Sequence, residues 1–562
     1  MEYLLNFIAT SGLTRHDREI LSCFIKDASE PERACQYIHE HRGDGELVKL
    51  ENIVSLWKQV VIKVLQPTLS SDRVTSALFT REDYKCRITR QPSQYLGEKL
   101  EAVSIVSPRL FHGVLDANEN AMLLAFLGPD VLESLQELLN RIYNNETKDE
   151  EHPELQNMFL ASRSMKEAFH KAHYAFFPYL KLCWKPKDLQ GDPKAPNSVD
   201  YGILPRQREP ACRDKITSHY ITFATPSTSL PLPHPLLLGI HSRLSKSRSW
   251  MDLAEQRARA HSNRNIIYSR ICQWIRSAFT HLVKLFPYLA SERLRIHCYR
   301  TISRLSSNLY APQGIVQRVP GGMIVKRGPR VSSNETSALQ LIAHNPFLPA
   351  PQPLDFVTDS KDGHSYLIMS HIPGQSFRSV CDLMTDSDLS NFTHDLRTIL
   401  TEMRKIHNPH GEARICGAKG NTPCHDFRLG DPCGPFPTLD SFHQHLRTNA
   451  YVPSLPSPSR PTTNLDAPTQ KCLLVHATSR SIFFTHGDLN LNNILINPSS
   501  FRISGLVDWE CAGFYPDYWE KTKSLYSMPG DAFWKSLLQR VIPGLEDEVE
   551  TEMWLWDRSD PF

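Results

Sequence analysis

Phe483-Phe484-Thr485-His486-Gly487-Asp488-Leu489-Asn490-Leu491-Asn492-Asn493-Ile494-Leu495-Ile496 is the stretch on which the fold turns. One apolar run leads into a polar loop and another leaves it. A further apolar run, Ile503 to Val507, ends in Asp508-Trp509-Glu510. The pattern predicts a loop held between short buried strands, with a strand pair carrying Asp508 back beside it. Asp488, Asn493 and Asp508 then converge. A carboxylate that accepts a hydroxyl proton, with an amide oxygen and a second carboxylate for magnesium, is the minimum for moving a phosphoryl group. A polar turn that happens to contain Asp and Asn is the plainer reading, but it does not explain the whole block in order between strand-like runs.

The spacing of Asp488, Asn493 and Asp508 resembles the catalytic loop and metal-binding Asp of kinases. His486-Gly487-Asp488 and Asp508-Trp509-Glu510 resemble the aminoglycoside phosphotransferase and choline kinase branch of that fold. The following Cys511-Ala512-Gly513-Phe514-Tyr515-Pro516-Asp517-Tyr518-Trp519-Glu520 is similar to the corresponding segment in the large fungal group of the family. The resemblance implies that Asp488 orients and deprotonates an acceptor hydroxyl, that Asn493 and Asp508 hold magnesium, and that His486 holds the loop by hydrogen bonding. It also implies that Trp509, Glu510, Trp519 and Glu520 lock the loop from behind.

Upstream, Gly314 to Val319 and Met323 to Lys326 read as two strands around Pro320-Gly321-Gly322. The double-glycine turn is read as a plain hairpin turn. Lys326 ends an apolar strand and Glu335 opens a helix predicted to run to Ala343. They resemble the strand Lys and helix Glu of kinase-like folds, the Lys binding nucleotide phosphates and the Glu steadying it. Without the loop downstream, a surface Lys and a first-turn Glu favoured by the helix dipole would explain them equally. Leu348-Pro349-Ala350-Pro351 and Ser365 to Gly374 resemble the family's entry segment and its strand and hinge, so Ser370 to Ile372 is the expected adenine contact. A helix from Leu389 to His407 opens the large lobe. Asp426-Phe427-Arg428 and Gly434-Pro435-Phe436 look like the fungal group, with substrate pocket or lobe packing both open as their role. Tyr451 to Gln470 is rich in Pro, Ser and Thr and reads as a loop. The chain closes with a helix holding Phe533, Trp534, Leu537 and Leu538, then a charged tail.

The N-terminal half reads differently. Residues 1–75 are predicted helical, with Ile20, Phe24 and Ile25 and then Ile53, Trp57, Val60, Val61 and Val64 at helical spacing and Ser70-Ser71-Asp72 as a cap. Phe79 to Thr89 resembles the opening of HNH nuclease-like domains, in which a strand ends near a Cys-x-x-Thr element. Ser104 then stands at the place of one family histidine and Lys166 at another, while Asn157 is kept. His170 and His173, at i and i+3, have a spacing that can share a metal; two partly exposed histidines beside aromatic residues is the blander reading. The resemblance therefore implies a degenerate HNH-like scaffold. A helical prelude over Ile267, Ile271, Trp274, Ile275, Leu282 and Leu285 follows a boundary near Gln256 to Arg264.

At 562 residues two to four domains are expected. The 63 Lys+Arg against 61 Asp+Glu exert no global pull toward nucleic acid or a membrane surface. The 13 cysteines form no zinc-like pair or disulfide framework and point to the cytoplasm, with the nucleus as the alternative. The N-terminus lacks the basic residue and apolar length of a secretory signal, and no run of ~20 apolar residues predicts a membrane span.

The expected architecture is α+β, a kinase-like two-lobed phosphotransferase fold preceded by a mostly helical, HNH-like domain. Its divisions are 1–75, 76–255, 256–300, a small lobe over 301–375 and a large lobe over 376–562. The expected site has Asp488 as catalytic residue, Lys326, Glu335, Ser370 and Ile372 for ATP, and Asn493 and Asp508 for Mg2+. Its partners are a nucleotide and a small molecule bearing a hydroxyl, with the acceptor and the oligomeric state open. The competing reading is a non-catalytic pseudokinase fused to a dead nuclease scaffold, acting as an interaction module.

Overall fold

A computed structural model describes the chain apart from residues 43–46, 69, 93, 94, 96, 109, 111–113, 145–151, 179–197, 207–215, 217, 219, 228, 263–289, 421, 422, 431, 453–464 and 560–562. It forms two compact units, Met1–Ala260 and His261–Phe562. The predicted prelude over Ile267 to Leu285 lies outside the described residues, as does the middle of the Pro-rich stretch after Tyr451. Among the described residues no helix is long and apolar enough to cross a membrane.

The first unit opens with α1 (Glu2–Thr10), α2 (Arg15–Lys26), α3 (Pro31–His41), α4 (Leu47–Val64) and α5 (Asp72–Arg81). Thr14 caps α2 and Ser71 caps α5, each side chain accepting a backbone N–H of the first turn. The apolar stripes of α2 and α4 are buried as their spacing dictates, with Trp57 packed against Phe24 and Phe126. Strand β1 (Leu100–Ser104) follows, then α6 (Ala117–Leu127), α7 (Pro129–Tyr143) and β2 (Met158–Ser162), which pairs antiparallel with β1. Next come α8 (Arg163–His170), a meander of β3 (Tyr174–Pro178), β4 (Ser198–Pro205) and β5 (Tyr220–Ala224), and α9 (Pro235–Ser262). One apolar core runs from Leu4 to Met251, so the helices before residue 75 and the elements after it share it. Among the described residues no strand precedes Cys86. Phe79 to Arg81 finish α5, and left-handed Asp83 and Tyr84 turn the chain into a loop closed by Cys86 N–H donating to Gln91 O.

After the undescribed residues, the second unit places α10 (Glu292–Ser306) against a four-stranded antiparallel sheet. Its order is β6 (Val316–Val319), β7 (Met323–Gly328), β9 (Ser365–Ser370), β8 (Pro353–Thr358), with α11 (Ser333–Ile342) inserted after β7. The β6–β7 turn takes positive φ at Gly321 and Gly322, as a tight hairpin requires. The rest of the unit is largely helical: α12 (Phe377–Val380), α13 (Asp386–Met403), α14 (Leu439–Asn449), α15 (Ala467–His476), α16 (Trp519–Tyr526), α17 (Ala532–Val541) and α18 (Glu546–Ser559). Two small antiparallel sheets cross it. One is β10 (Gln375–Ser376), β13 (Ile494–Ile496) and β14 (Ile503–Leu506); the other is β11 (Cys416–Gly417), β15 (Gly513–Pro516) and β12 (Ile482–Thr485). Thr385 begins α13 with a capping box, and Leu389, Phe392, Leu396, Leu400 and Met403 bury its inner face. The expected charged tail is in fact α18.

Candidate active site

The loop between β12 and β13 carries Asp488 and Asn493, and the β13–β14 hairpin returns the chain to Asp508, as the apolar runs require. Gly487 turns the chain with φ +76°, and a Cβ there would lie 2.5 Å from Cys511 O. Only glycine meets both demands without strain.

His486 is fully buried and sits at the centre of the loop. Asp488 N–H donates to its Nδ1 at 3.2 Å, so Nε2 carries the proton and donates to Val507 O at 3.1 Å. The ring is therefore the neutral Nε2–H tautomer, and burial pushes its pKa down to about 4. Glu520, buried in α16, accepts from the backbone N–H of His486 at 2.7 Å and of Gly487 at 3.3 Å. Trp509 packs on His486 and donates Nε1–H to Leu506 O at 2.9 Å.

Asp488 is bound on both carboxylate oxygens. Asn493 Nδ2 donates to its Oδ2 at 2.8 Å and to its backbone O at 2.8 Å. Two acceptors on that nitrogen fix the amide orientation and turn Asn493 Oδ1 the other way. Ser527, at the C-terminal end of α16, donates to Asp488 Oδ1 at 3.0 Å. Burial raises the Asp488 pKa, and the Lys523 ammonium and the Ser527 bond act against it.

Lys326 forms the second focus. Its Nζ lies 2.8 Å from Glu335 Oε2, 2.6 Å from Asp508 Oδ1 and 3.1 Å from Glu510 Oε2. Burial opposes the lysine charge, but three carboxylates outweigh it and raise the pKa. Burial pushes the Glu335 carboxyl up to about 7, against the pull of Lys326. One ammonium faces three acids, so the cluster has spare negative charge. Oxygens of Glu335, Asp508 and Glu510 lie within 4.8 Å of one another. Asp508 has a left-handed backbone, φ 68°, which Asp tolerates better than most residues. Oxygen donors alone, two of them part-exposed carboxylates, suit a hard divalent cation such as magnesium.

The structure thus brings Lys326, Glu335 and Asp508 into contact, and separately joins Asp488 to Asn493. Glu510, expected behind the loop, instead joins the Lys326 cluster. Trp519 also turns elsewhere, donating Nε1–H to Asp426 Oδ2 at 3.0 Å. Of the expected hinge, Ser370 exchanges hydrogen bonds with Gln352, its N–H donating to Gln352 O and its Oγ accepting from Gln352 N. His371 N–H donates to Gly322 O at 2.8 Å. Ile372 packs on Gly505 of β14, where an added Cβ would stand 2.6 Å from its Cδ1. The hinge thus lies against the strand that leads to Asp508.

Three further residues bear on the site with no sequence signal to announce them. Asn334, beside Glu335, donates Nδ2 protons to Glu510 O at 3.0 Å and Ala512 O at 2.8 Å, tying α11 to the segment after Asp508. From α16, Ser527 reaches Asp488 and the Lys523 ammonium acts on it at longer range. Each is set by tertiary approach rather than by local spacing.

In the first unit, the positions compared with nuclease residues are engaged in structure. Lys166 pairs with Glu101 at 3.0 Å. Asn157 binds Val106 N and O and the Tyr143 hydroxyl. His170 Nε2 meets Ser104 O at 3.2 Å, whereas His173 Nε2 meets Asp252 Oδ2 at 2.9 Å, so the two histidines take separate partners. His173 is buried rather than partly exposed.

The model of the Phosphotransferase enzyme family matches residues 301–542, so that segment is a domain of this family. No curated protein matches the chain. Among solved structures, a thermostable mutant of aminoglycoside phosphotransferase APH(4)-Ia, in ternary complex with ADP and hygromycin B, is 14% identical. The match covers 45% of this chain and 88% of that one, with a TM-score of 0.33. Aminoglycoside phosphotransferase APH(3'')-Id from Streptomyces rimosus is 16% identical over 43% of this chain and 88% of its own, TM-score 0.28. The GDP and kanamycin complex of APH(2")-IIia is 12% identical over 46% and 87%, TM-score 0.31.

Proposed function

We propose that the phosphotransferase-family domain at 301–542 moves the terminal phosphoryl group of ATP to a hydroxyl of a small molecule. The observation that carries this is the pair of foci, a base-like carboxylate bound on both oxygens and a lysine held by three acids. Asp488 receives the acceptor's proton as the acceptor oxygen attacks the terminal phosphorus and the bond to the bridging oxygen breaks, releasing ADP. Lys326, steadied by Glu335, binds phosphate oxygens. Asn493 and Asp508 would hold magnesium, with Glu510 close by, and bound magnesium supplies neutralisation of charge on the phosphates. Ser370 to Ile372 would meet the adenine. The fixed placement of these groups lowers the barrier mainly by positioning and charge complementarity.

A magnesium-dependent ATP turnover assay of the full chain against a panel of aminoglycosides, sugars and amino alcohols tests the reading. Phosphorylation of one panel member, with a thermal shift larger for ATP plus magnesium than for ATP alone, is the expected result. Equal shifts and no turnover would instead support the non-catalytic binding module.

For the first unit, we propose a degenerate HNH-like scaffold that does not cut nucleic acid. The support is Ser104 and Lys166 where the resemblance places histidines, and the separate partners of His170 and His173. Metal-dependent cleavage by the full chain, lost on His170→Ala, would overturn it.

A further inference from the structure

Asp426 lies in a segment whose role its sequence leaves open. Its side chain is fully buried, and three groups converge on it. Trp519 Nε1–H donates to Oδ2 at 3.0 Å, the Lys523 ammonium lies 2.8 Å from Oδ1, and Arg428 N–H donates to Oδ1 at 2.8 Å. Trp519 and Lys523 are i and i+4 on α16, so one carboxylate holds two neighbouring positions of one helix face. Ser527 is the next i+4 position along that face, and it donates to Asp488 Oδ1. The opposite face of α16 presents Lys521 and Leu525 to a separate cleft lined also by Lys471, Lys535 and Trp554. The helix thus has one side committed to Asp426 and Asp488.

We infer that Asp426, Lys523 and Ser527 form a positioning relay for Asp488, with α16 as its rigid member and Ser527 as its contact. The inference rests on the proposed role of Asp488. Asn493 holds Oδ2 from within the loop, and Ser527 holds Oδ1 from a helix that Asp426 anchors. With both oxygens bound, the carboxylate plane is fixed before an acceptor arrives. With only Asn493 in place, the carboxylate rotates about χ2, and misplacement of a reacting group by about 1 Å is worth on the order of 10²-fold in rate.

The test uses the full chain carrying Ser527→Ala, Ser527→Thr or Asp488→Asn. Ser527→Ala is expected to lower kcat about 10- to 10²-fold, with KM for magnesium-ATP unchanged, because Ser527 lies outside the Lys326 cluster. Ser527→Thr keeps the hydroxyl and is expected to recover most of the loss, which a merely structural role does not predict. Crystal structures of the wild type and of Ser527→Ala give a readout independent of turnover, and the Asp488 carboxylate is expected to turn in the variant. An unmoved carboxylate, or wild-type kcat in Ser527→Ala while Asp488→Asn is slowed, would overturn the relay. Full turnover in Asp488→Asn would overturn the role of Asp488 itself. Asp426→Asn strands the buried Lys523 charge and is the variant at risk of misfolding, so Ser527 is the position at which the relay stands or falls.

Discussion

Lys326 Nζ and Asp508 Oδ1 lie 2.6 Å apart, joining the four-stranded sheet to the hairpin that follows the Asp488 loop. The same ammonium serves buried Glu335 and largely buried Glu510. On the proposed role of Lys326, an incoming phosphate meets a lysine already charged and already placed. It also meets three acids that the lysine neutralises only in part.

Lys326→Met should therefore cost stability as well as nucleotide affinity. Breaking a buried pair by removing one partner costs about 3–5 kcal/mol when the other charge stays buried. Here Glu335 can take a proton, since burial already pushes its carboxyl up to about 7. The loss should thus be larger at pH 8, where the wild-type Glu335 is charged and paired with Lys326, than at pH 6, where it is largely protonated with or without the lysine. Urea unfolding of wild type and variant at the two pH values measures it. An equal loss at both would show that Lys326 does not control the Glu335 charge.

Gly487→Ala should damage both fold and site. The new Cβ meets Cys511 O at 2.5 Å, and the residue must hold φ +76°. Left-handed strain alone is on the order of 1–3 kcal/mol, and the clash forces the neighbouring Asp488 to move. A drop in Tm together with loss of turnover is expected. An unchanged Tm would mean that the loop is looser than its contacts imply.

Acid should unfold the first unit before the second. Burial lowers His170 and His234 to about 4 and His241 to about 3 in the first unit. It lowers His443 and His486 to about 4 and His476 to about 2 in the second. Between about pH 6.5 and 4 the unfolded chain binds protons that the folded histidines refuse, so stability falls as pH falls. Glu335 and Glu520, pushed by burial up to about 7, act in the other direction. Their folded forms take up protons between about pH 7 and 4.5, which adds stability as pH falls. That offset belongs to the second unit. Hydrogen exchange at pH 7 and pH 5 should show protection lost first in residues 1–260. Earlier loss in the second unit would contradict the assignment.

What the sequence made legible was the loop and its order. Asp488, Asn493, Asp508 and Lys326 sit at or near the ends of short apolar runs that must become buried strands, and Glu335 stands in the first turn of a helix with a buried face. The Lys326–Glu335 contact spans only nine residues and one turn. Asp426, Lys523 and Ser527 gave no such signal, because Asp426 and Lys523 meet across a separation that no period links. The helix after Glu546 was hidden for a different reason. Much of its buried side is polar, with Glu548, Thr551 and Glu552 covered and the two acids paired to Arg480 and Arg428. An apolar period therefore under-reports it. The strand expected before Cys86 failed because α5 runs on to Arg81, and left-handed Asp83 and Tyr84 then bend the chain away.

The most direct measurement is turnover and magnesium-ATP affinity of Asp488→Asn beside Asp508→Asn. Asn is isosteric, and Asp488 makes no contact with the Lys326 ammonium, so Asp488→Asn should keep nucleotide affinity while turnover falls by ~10²–10⁴, the usual worth of a general base. Asp508→Asn removes a charge at the Lys326 cluster, so affinity and rate should fall together. Slow ATP hydrolysis serves as the readout until the acceptor is found. Lost affinity in Asp488→Asn with affinity spared in Asp508→Asn would reverse the two roles, and no change in either variant would contradict phosphoryl transfer at this site.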